Sequence, residues 1–439
     1  MEYSIVRIVA TATLALVSVS GFGPSAADVR AQLIGQPPDV GIAIATLDDG
    51  KTLVQSVGST FDGDSRFEIG SITKTFTATL FADMIVRHEV ASNDPIEKYL
   101  PAGTKAPQFQ RHSITLADLA TQSSGLPRMP TNFTSANSDD PYDYDDGKLR
   151  QFLNTYALTR APGQRFEYSN LGFGLLGYLL ARRLGLDYAT AVRTRVLEPL
   201  GMKDTDVAVF GRSESTVPGH DSDGDPVSNW HFAALAGAGA IVSTPNDMLR
   251  YARANLDTSR GPLAAAMALA QHPLRPADGT RRIGYAWLTN ADGIVWHNGG
   301  TGGFRSFLGI DKMHHRAIFV VANAFLDAVD GLGFHALDPA RPLPSPPAAD
   351  ATVERNVLEG YVGRYTFTDK SVATVTIDDR GLAITFDKPA FHARLHPRSQ
   401  TEFAIPSVAV AARFARAGHD TTLTILQDGQ PSQIGTRKP

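Results

Sequence analysis

The sequence predicts an α+β protein in two parts: a larger first part of mixed strands and helices, then a small antiparallel β unit. Three observations predict it. A strand pair over 40–57 precedes a long helical pattern behind Ser71, and more strand patterns follow over 283–323. Pro339, Pro342, Pro344, Pro346 and Pro347 crowd together past Asp338 and mark a stiff linker over 338–352. Beyond it, short strand patterns recur at ~8–12-residue spacing, the rhythm of a small antiparallel barrel or sandwich.

The chain has 439 residues, enough for roughly two or three domains of ~150 residues. Hydrophobic residues make up 43% and charged residues 20%, as in an ordinary soluble globular protein. A net charge of -4 with no basic cluster gives no footprint for nucleic acid or an anionic membrane surface. Cysteine is absent, which excludes disulfides, a thiol nucleophile and Cys-ligated zinc. At the N-terminus, Arg7 is followed by an apolar run over 8–19, and Ser25, Ala26 and Ala27 offer a cleavage site. The run is shorter than the ~20 residues a spanning helix needs. Residues 1–27 therefore read as an export signal cut after Ala27. The mature protein is expected to be periplasmic or secreted, with no integral membrane segment. Oligomeric state has no signature here.

Taken in order, 40–47 reads as a buried strand, Asp48-Asp49-Gly50 as a hairpin turn and 52–57 as the returning strand. Phe76, Leu80 and Met84 recur at fours behind Ser71, and no Gly or Pro interrupts before Asn93. A short helix over 116–119 ends in Thr121-Gln122-Ser123-Ser124-Gly125-Leu126-Pro127. The segment with Asp139, Asp140, Tyr142, Asp143, Tyr144, Asp145 and Asp146 has no metal-loop spacing and reads as a surface loop that could wall a cleft. A Pro162-Gly163 turn leads to Tyr168-Ser169-Asn170 and a packed helix over 171–184. The carboxylates of 221–225 cap a turn, since the calcium-loop pattern is missing. Gly237-Ala238-Gly239 has no lysine of a phosphate loop and points to close packing instead. Thr244 and Pro245 suit the N-cap and first position of a helix. Strands are expected over 283–288, 294–297, 304–310 and 317–323, the last buried on both faces. His314 and His315 fall at a hairpin and read as surface residues. In the C-terminal part, strands are expected over 360–367, 372–377, 382–386, 391–395, 402–414 and 421–426.

Three motifs carry chemistry. In Ser71-Ile72-Thr73-Lys74, a hydroxyl and an amine three residues apart share one helix face at a helix N-terminus. That pairing makes a nucleophile: the lysine holds or receives the proton, and the dipole favours negative charge. Tyr168-x-Asn170 and His297-x-Gly299 follow in that order. A metal-dependent hydrolase is disfavoured, because His88-Glu89 lacks the second histidine of a zinc helix. An α/β-hydrolase is disfavoured, because Gly-x-Ser-x-Gly does not occur.

Together the motifs resemble the penicillin-recognising serine hydrolases of the class C β-lactamase and D-alanyl-D-alanine carboxypeptidase type. The contexts Phe67-Glu68-Ile69-Gly70-Ser71-Ile72-Thr73-Lys74, Pro162-Gly163-x-x-Phe166-x-Tyr168-Ser169-Asn170 and the Gly-Gly-Thr-Gly-Gly run after His297 carry it, over roughly 40–323. The resemblance implies a β-lactamase/transpeptidase-like domain over 28–337: an antiparallel sheet flanked by helices, plus a helical region. It implies Ser71 as nucleophile, Lys74 as proton partner, Tyr168 as base and then acid, and Asn170 as orienter of Lys74 and the substrate amide. The N–H groups of Ser71 and Gly300 would form the oxyanion hole. Gly299 and Gly300 would offer a strand edge to the substrate, Gln122 would also bind it, and His297 would belong to the catalytic set. No metal or cofactor is implied. The partner is a small-molecule or peptide substrate, with esters as the alternative. A non-catalytic binding or sensing protein is the reading from another class. Many β-lactamases carry lysine where this chain has His297, a residue mostly neutral at pH 7. From Tyr361-x-Gly363-x-Tyr365 onward, residues 353–439 resemble the lipocalin-like barrel of some relatives. The short linker leads us to expect that barrel over the cleft.

Overall fold

The computed structural model describes residues 22–133, 142–209, 216–387, 390–405, 410–417, 420–427 and 432–437. The apolar run of the expected export signal, 8–19, lies outside them. Among the described residues no helix is long and apolar enough to cross a membrane.

The hairpin expected at the start is present as β1 (Ile42–Asp48) and β2 (Lys51–Val57), paired in register from Ile42↔Val57 to Asp48↔Lys51. Asp49 and Gly50 both take positive φ, as a tight hairpin turn requires. Two long elements follow: α1 (Thr73–Val86) and α2 (Asn170–Leu184). Strands β3 (Val295–Gly300), β4 (Arg305–Asp311) and β5 (Arg316–Ala322) complete the sheet. Its order is Arg275–Pro276, Arg282–Ile283, Leu288–Thr289, β3, β4, β5, β1, β2, and every pairing is antiparallel.

β5 is apolar on both faces because both faces are covered. Phe319 and Val321 join the core shared with the helical region, while Ile318 and Val320 join the core under the helix Ala328–Leu337. α1 packs against α2 and the helix Ala264–Gln271, and from Thr73 to Met84 every residue is buried. Its threonines would be costly there without partners. They return their hydroxyls to nearby backbone: Thr75 to Ile72 O at 2.8 Å, Thr79 to Thr75 O at 2.9 Å and Thr77 to Gly237 O at 2.8 Å.

The structure corrects three strands. The run over 283–288 is two short strands, because Ala286 takes φ 65° and its N–H leaves the ladder for Ala120 O at 2.9 Å. The run over 402–414 is Glu402–Ile405 and Val410–Ala417, a hairpin whose turn lies outside the described residues. A further strand, Gln433–Arg437, closes a barrel of eight antiparallel strands against Gly363–Phe367. It has no apolar rhythm because Gly435 is the residue it turns inward, under the Phe367 ring.

The barrel interior is filled with side chains, with Tyr361 stacked on Phe414 at 4.3 Å between ring centroids and Phe403 edge-on to Phe414 at 5.5 Å. It does not lie over the cleft as expected. It sits against the acidic turn 221–225, where Asp221 Oδ1 accepts from the N–H of Asp223 and of Asp225, each at 2.9 Å. Asp223 also accepts from the backbone of Arg394 at 3.0 Å and pairs with His396 at 2.8 Å, while Asp225 pairs with Arg380. These carboxylates thus cap their turn and also dock the barrel.

Candidate active site

Ser71 lies on a single tight turn, Gly70–Ile72, and α1 starts two residues later at Thr73. The serine is therefore just ahead of the α-helix that carries Lys74, a small shift from the shared helix face that the spacing suggested. Gly70 takes φ 50°, and a Cβ there would fall 2.6 Å from the nitrogen of Gly300. Only glycine fits both demands.

Lys74 is fully buried. Its Nζ is 2.8 Å from Ser71 Oγ and 2.6 Å from Ala238 O. Burial, and secondarily the charge of Arg128, hold its amine well below the usual lysine range. The carbonyl of Ala238 is brought there by close packing of the glycine-rich turn on α2: a Cβ on Gly237 would meet Phe173 O at 2.8 Å.

Tyr168 precedes the N-cap of α2. Ser169 Oγ accepts from Gly172 N–H at 2.9 Å and donates to Pro127 O at 2.6 Å. These bonds fix the phenol, whose oxygen is 2.8 Å from Ser71 Oγ. Arg128 lies 5.0 Å and Lys74 Nζ 4.9 Å from the ring centroid. Burial nevertheless dominates, and the phenol is pushed up to about 12. The serine hydroxyl thus sits between an amine whose charged form burial disfavours and a phenol that burial holds to its proton.

β3 forms the other wall. Its outer neighbour pairs only with Val295 and Trp296, so the stretch from His297 to Gly300 has an open edge. The bare Gly299 serves packing as well as access: a Cβ there would fall 2.0 Å from Ile69 O, in the turn that carries Ser71. The cleft between these walls holds about 430 Å³ and is lined by Ser71, Tyr168, Asn170 and Gly300, with Trp230 and Tyr142 on the far side. Tyr142 comes from the segment suspected as a cleft wall; Asp139 and Asp140 of that segment lie outside the described residues.

Three expected roles change. Gln122 is buried behind the cleft, where its Oε1 accepts from Ser169 N–H at 2.7 Å; it supports Tyr168 from behind and does not line the cleft. His297 is also buried, with its ring Nδ1 2.6 Å from Asn298 O; burial, then Lys74, pull it down to about 3. It carries no charge at neutral pH. Asn170 donates to Met129 Sδ at 3.6 Å, and the second partner of Lys74 is Ala238 O. Asn170 lines the cleft, while its Oδ1 is buried and has no partner among the described residues.

Two further residues had no motif to reveal them. Arg128 follows the Pro127 break, and its carbonyl accepts from Asn170 N–H at 3.0 Å at the N-terminus of α2. Glu68, three residues before Ser71, is buried with its carboxyl pushed up, mainly by that burial. It accepts from the Asn229 side chain and from Trp230 N–H, each at 2.8 Å, and so holds the Trp230 wall.

A hydroxyl in contact with an amine and a phenol, beneath an open strand edge, defines a serine hydrolase. The chain belongs to the beta-lactamase family, whose model, described as Beta-lactamase, matches residues 30–336. It is 29% identical over 307 residues to the D-alanyl-D-alanine-carboxypeptidase/endopeptidase AmpH of Escherichia coli (strain K12), covering 64% of this chain and 78% of that protein. It is 31% identical over 278 residues to a beta-lactamase of the same strain, covering 60% and 71%. A beta-lactamase/D-alanine carboxypeptidase structure from Yersinia pestis, complexed with citrate, matches with 25% identity and a TM-score of 0.59 over 70% of this chain and 94% of that one. The octameric penicillin-binding protein homologue from Pyrococcus abyssi shares the fold at 19% identity and a TM-score of 0.62, over 93% and 98%.

Proposed function

We propose that Ser71 is the nucleophile of acyl transfer to amide bonds in D-amino acid peptides, and that β-lactams enter through the same acyl-enzyme. The observation that carries this is the contact of Ser71 Oγ with Lys74 Nζ and Tyr168 Oη, both at 2.8 Å. The names of the similar proteins support the substrate class. Lys74, depressed by burial, is the base that takes the serine proton as Oγ attacks the carbonyl carbon. Tyr168, still protonated, gives its proton to the departing amine and is restored by the Lys74 ammonium through the vacated site. The N–H groups of Ser71 and Gly300 hold the oxyanion, and Asn170, which lines the cleft, orients the substrate amide. Water then hydrolyses the ester by the reverse proton path. In this reading Tyr168 acts as the acid instead of first as the base, because burial disfavours the phenolate.

Neutral His297 provides no fixed charge for a substrate carboxylate, a group that a D-alanyl-D-alanine peptide and a β-lactam both carry, so it does not rank the two. The same reading assigns catalysis to 28–337, with 338–352 as linker and 353–439 as barrel. It places the protein outside the cytoplasm by way of 1–27, although cleavage after Ala27 would remove Ser25, which caps the short helix Ala26–Ala31.

Mass spectrometry after a fluorophosphonate or β-lactam probe is expected to show one adduct, on Ser71, and none in Ser71→Ala. An unmodified protein with every such probe would refute acyl chemistry at Ser71. Nitrocefin, a D-alanyl-D-alanine peptide and p-nitrophenyl butyrate, compared on the purified protein, rank the substrate classes.

A further inference from the structure

Among the described residues that line the catalytic cleft, two are cationic, Arg128 and Arg305, and none is Asp or Glu. The neighbouring basic groups add little to that charge. Burial disfavours the charged form of Lys74, and His297 is neutral.

The two arginines differ. Arg305 donates to Asp327 at 3.1 Å, and its guanidinium lies 4.5 Å from the Phe325 ring centroid, so its charge is already answered. The Arg128 guanidinium has no counter-ion and no hydrogen-bond partner among the described residues; it lies over the Tyr168 ring, 5.0 Å from the centroid.

An unpaired arginine on an open surface carries little meaning, because its long side chain has no fixed place. Arg128 is exposed, but its backbone is pinned. Pro127 O accepts from Ser169 Oγ at 2.6 Å, and Arg128 O accepts from the N–H of Asn170 at 3.0 Å and of Leu171 at 3.2 Å. The residue is thereby tied to the N-terminus of α2, on the wall that carries Tyr168 and Asn170, and the Tyr168 ring gives the guanidinium a face to rest on. Its charge reaches the reacting groups. Burial is the first cause of the shifts at Lys74, Tyr168 and Tyr142, and Arg128 contributes to all three.

A guanidinium held beside a nucleophile without a counter-ion is a seat for a planar anion, because its fork of N–H groups meets both oxygens of a carboxylate. We propose that Arg128 is a specificity residue of this cleft, which binds a carboxylate of the peptide substrate. The proposal rests on the peptide reading of the cleft. Such a substrate carries one carboxylate at the C-terminus of its leaving residue and, where an acidic residue stands on the acyl side, a second there. Arg128 supplies the fixed charge that neutral His297 does not.

The test uses the full chain carrying Ser71→Ala, so that binding is read without turnover. Calorimetric titration compares N-acetyl-glutamyl-D-alanyl-D-alanine with two neutralised forms: its C-terminal amide, and the peptide with glutamine in place of glutamate. At least one neutralised form is expected to bind at least about tenfold more weakly, and which one does so identifies the carboxylate that is read. Adding Arg128→Met is expected to shrink that gap to less than about threefold, because the stem remains and the charge is gone. Arg128→Gln is a second variant with the same expectation. A ratio between peptides that differ in one charge is not moved by a merely structural change, which affects both alike. Equal affinity for all three peptides, no measurable binding of any, or a gap that survives both variants would overturn the proposal. So would a gap that is lost in Arg305→Met and kept in Arg128→Met, since the carboxylate would then belong to Arg305. Labelling of Ser71 by a neutral fluorophosphonate in the unmodified protein reads no carboxylate, so a failure of the acyl chemistry is seen separately.

Discussion

Tyr168→Phe separates the two proton-transfer roles at Ser71. The substitution removes one oxygen, 2.8 Å from Ser71 Oγ, and keeps the ring that packs beside Lys74 and Arg128. Its cost to stability is therefore that of one hydrogen bond, about 1 kcal/mol. Its cost to catalysis depends on the leaving group. An amide nitrogen must be protonated as it leaves, and a general acid contributes ~10²–10⁴-fold to such a step, or about 3–5 kcal/mol. A p-nitrophenolate leaves without a proton. In the proposed mechanism Tyr168, pushed up to about 12, is the acid, so Tyr168→Phe is expected to slow peptide hydrolysis by ~10²–10⁴-fold while acylation by p-nitrophenyl butyrate changes less than about tenfold. Lys74→Met, which removes the base, is expected to slow both by at least ~10²-fold. Stopped-flow acylation with each substrate measures the two ratios. Equal large losses for ester and amide in Tyr168→Phe would show that the phenol takes the serine proton, and would refute the assignment.

Three other outcomes are expected. Peptide kcat/KM falls on acidification as Lys74 gains its proton, at a pH well below the usual lysine value because burial depresses that amine, and shows no alkaline decline before Tyr168 ionises at about 12; a rate that climbs steadily through the alkaline range would identify a phenolate base. Gly299→Ala forces a methyl to within 2.0 Å of Ile69 O, and melting is expected to fall by several kcal/mol equivalents with loss of Ser71 labelling; a normal melting temperature would contradict the packing of β3 on the Ser71 turn. His396 is raised chiefly by its bond to Asp223, so its contribution is full below the usual histidine value and is lost as pH rises through the raised one. Asp223 is lowered by the His396 and Arg394 bonds, so its contribution is present above the usual carboxyl value and is lost as pH falls. The melting-temperature gap between the unmodified protein and Asp223→Asn is thus expected to be widest in mild acid and to narrow towards alkaline pH; a gap independent of pH would exclude the ionised pair.

The sequence made the proposed nucleophile legible because its determinants are local. Ser71 and Lys74 are separated by one helical turn, and Tyr168 is fixed by a cap that starts a strongly apolar helix. The same local reasoning found β1 and β2 through Asp49-Gly50, and the helix Pro245–Leu256 through Thr244 and Pro245. It failed where the decisive partner is distant in sequence. Gln122 looked like a cleft residue, yet its amide is used by Ser169; Gly237-Ala238-Gly239 read as close packing, yet the Ala238 carbonyl is also the second partner of Lys74. Gln433–Arg437 was invisible because barrel closure demands only a glycine facing inward. The protonation pattern is the sharpest case. From residue types alone, a tyrosine among cations could serve as base. Burial opposes the charged form of both groups: it raises the phenol and lowers the amine, and here it outweighs Arg128 at 5.0 Å from the ring. Which of two groups is the base at Ser71 is therefore a property of how deeply α1 is packed, and a substitution that let water reach Lys74, with every catalytic residue intact, is expected to return its amine towards the protonated form and slow acylation at neutral pH.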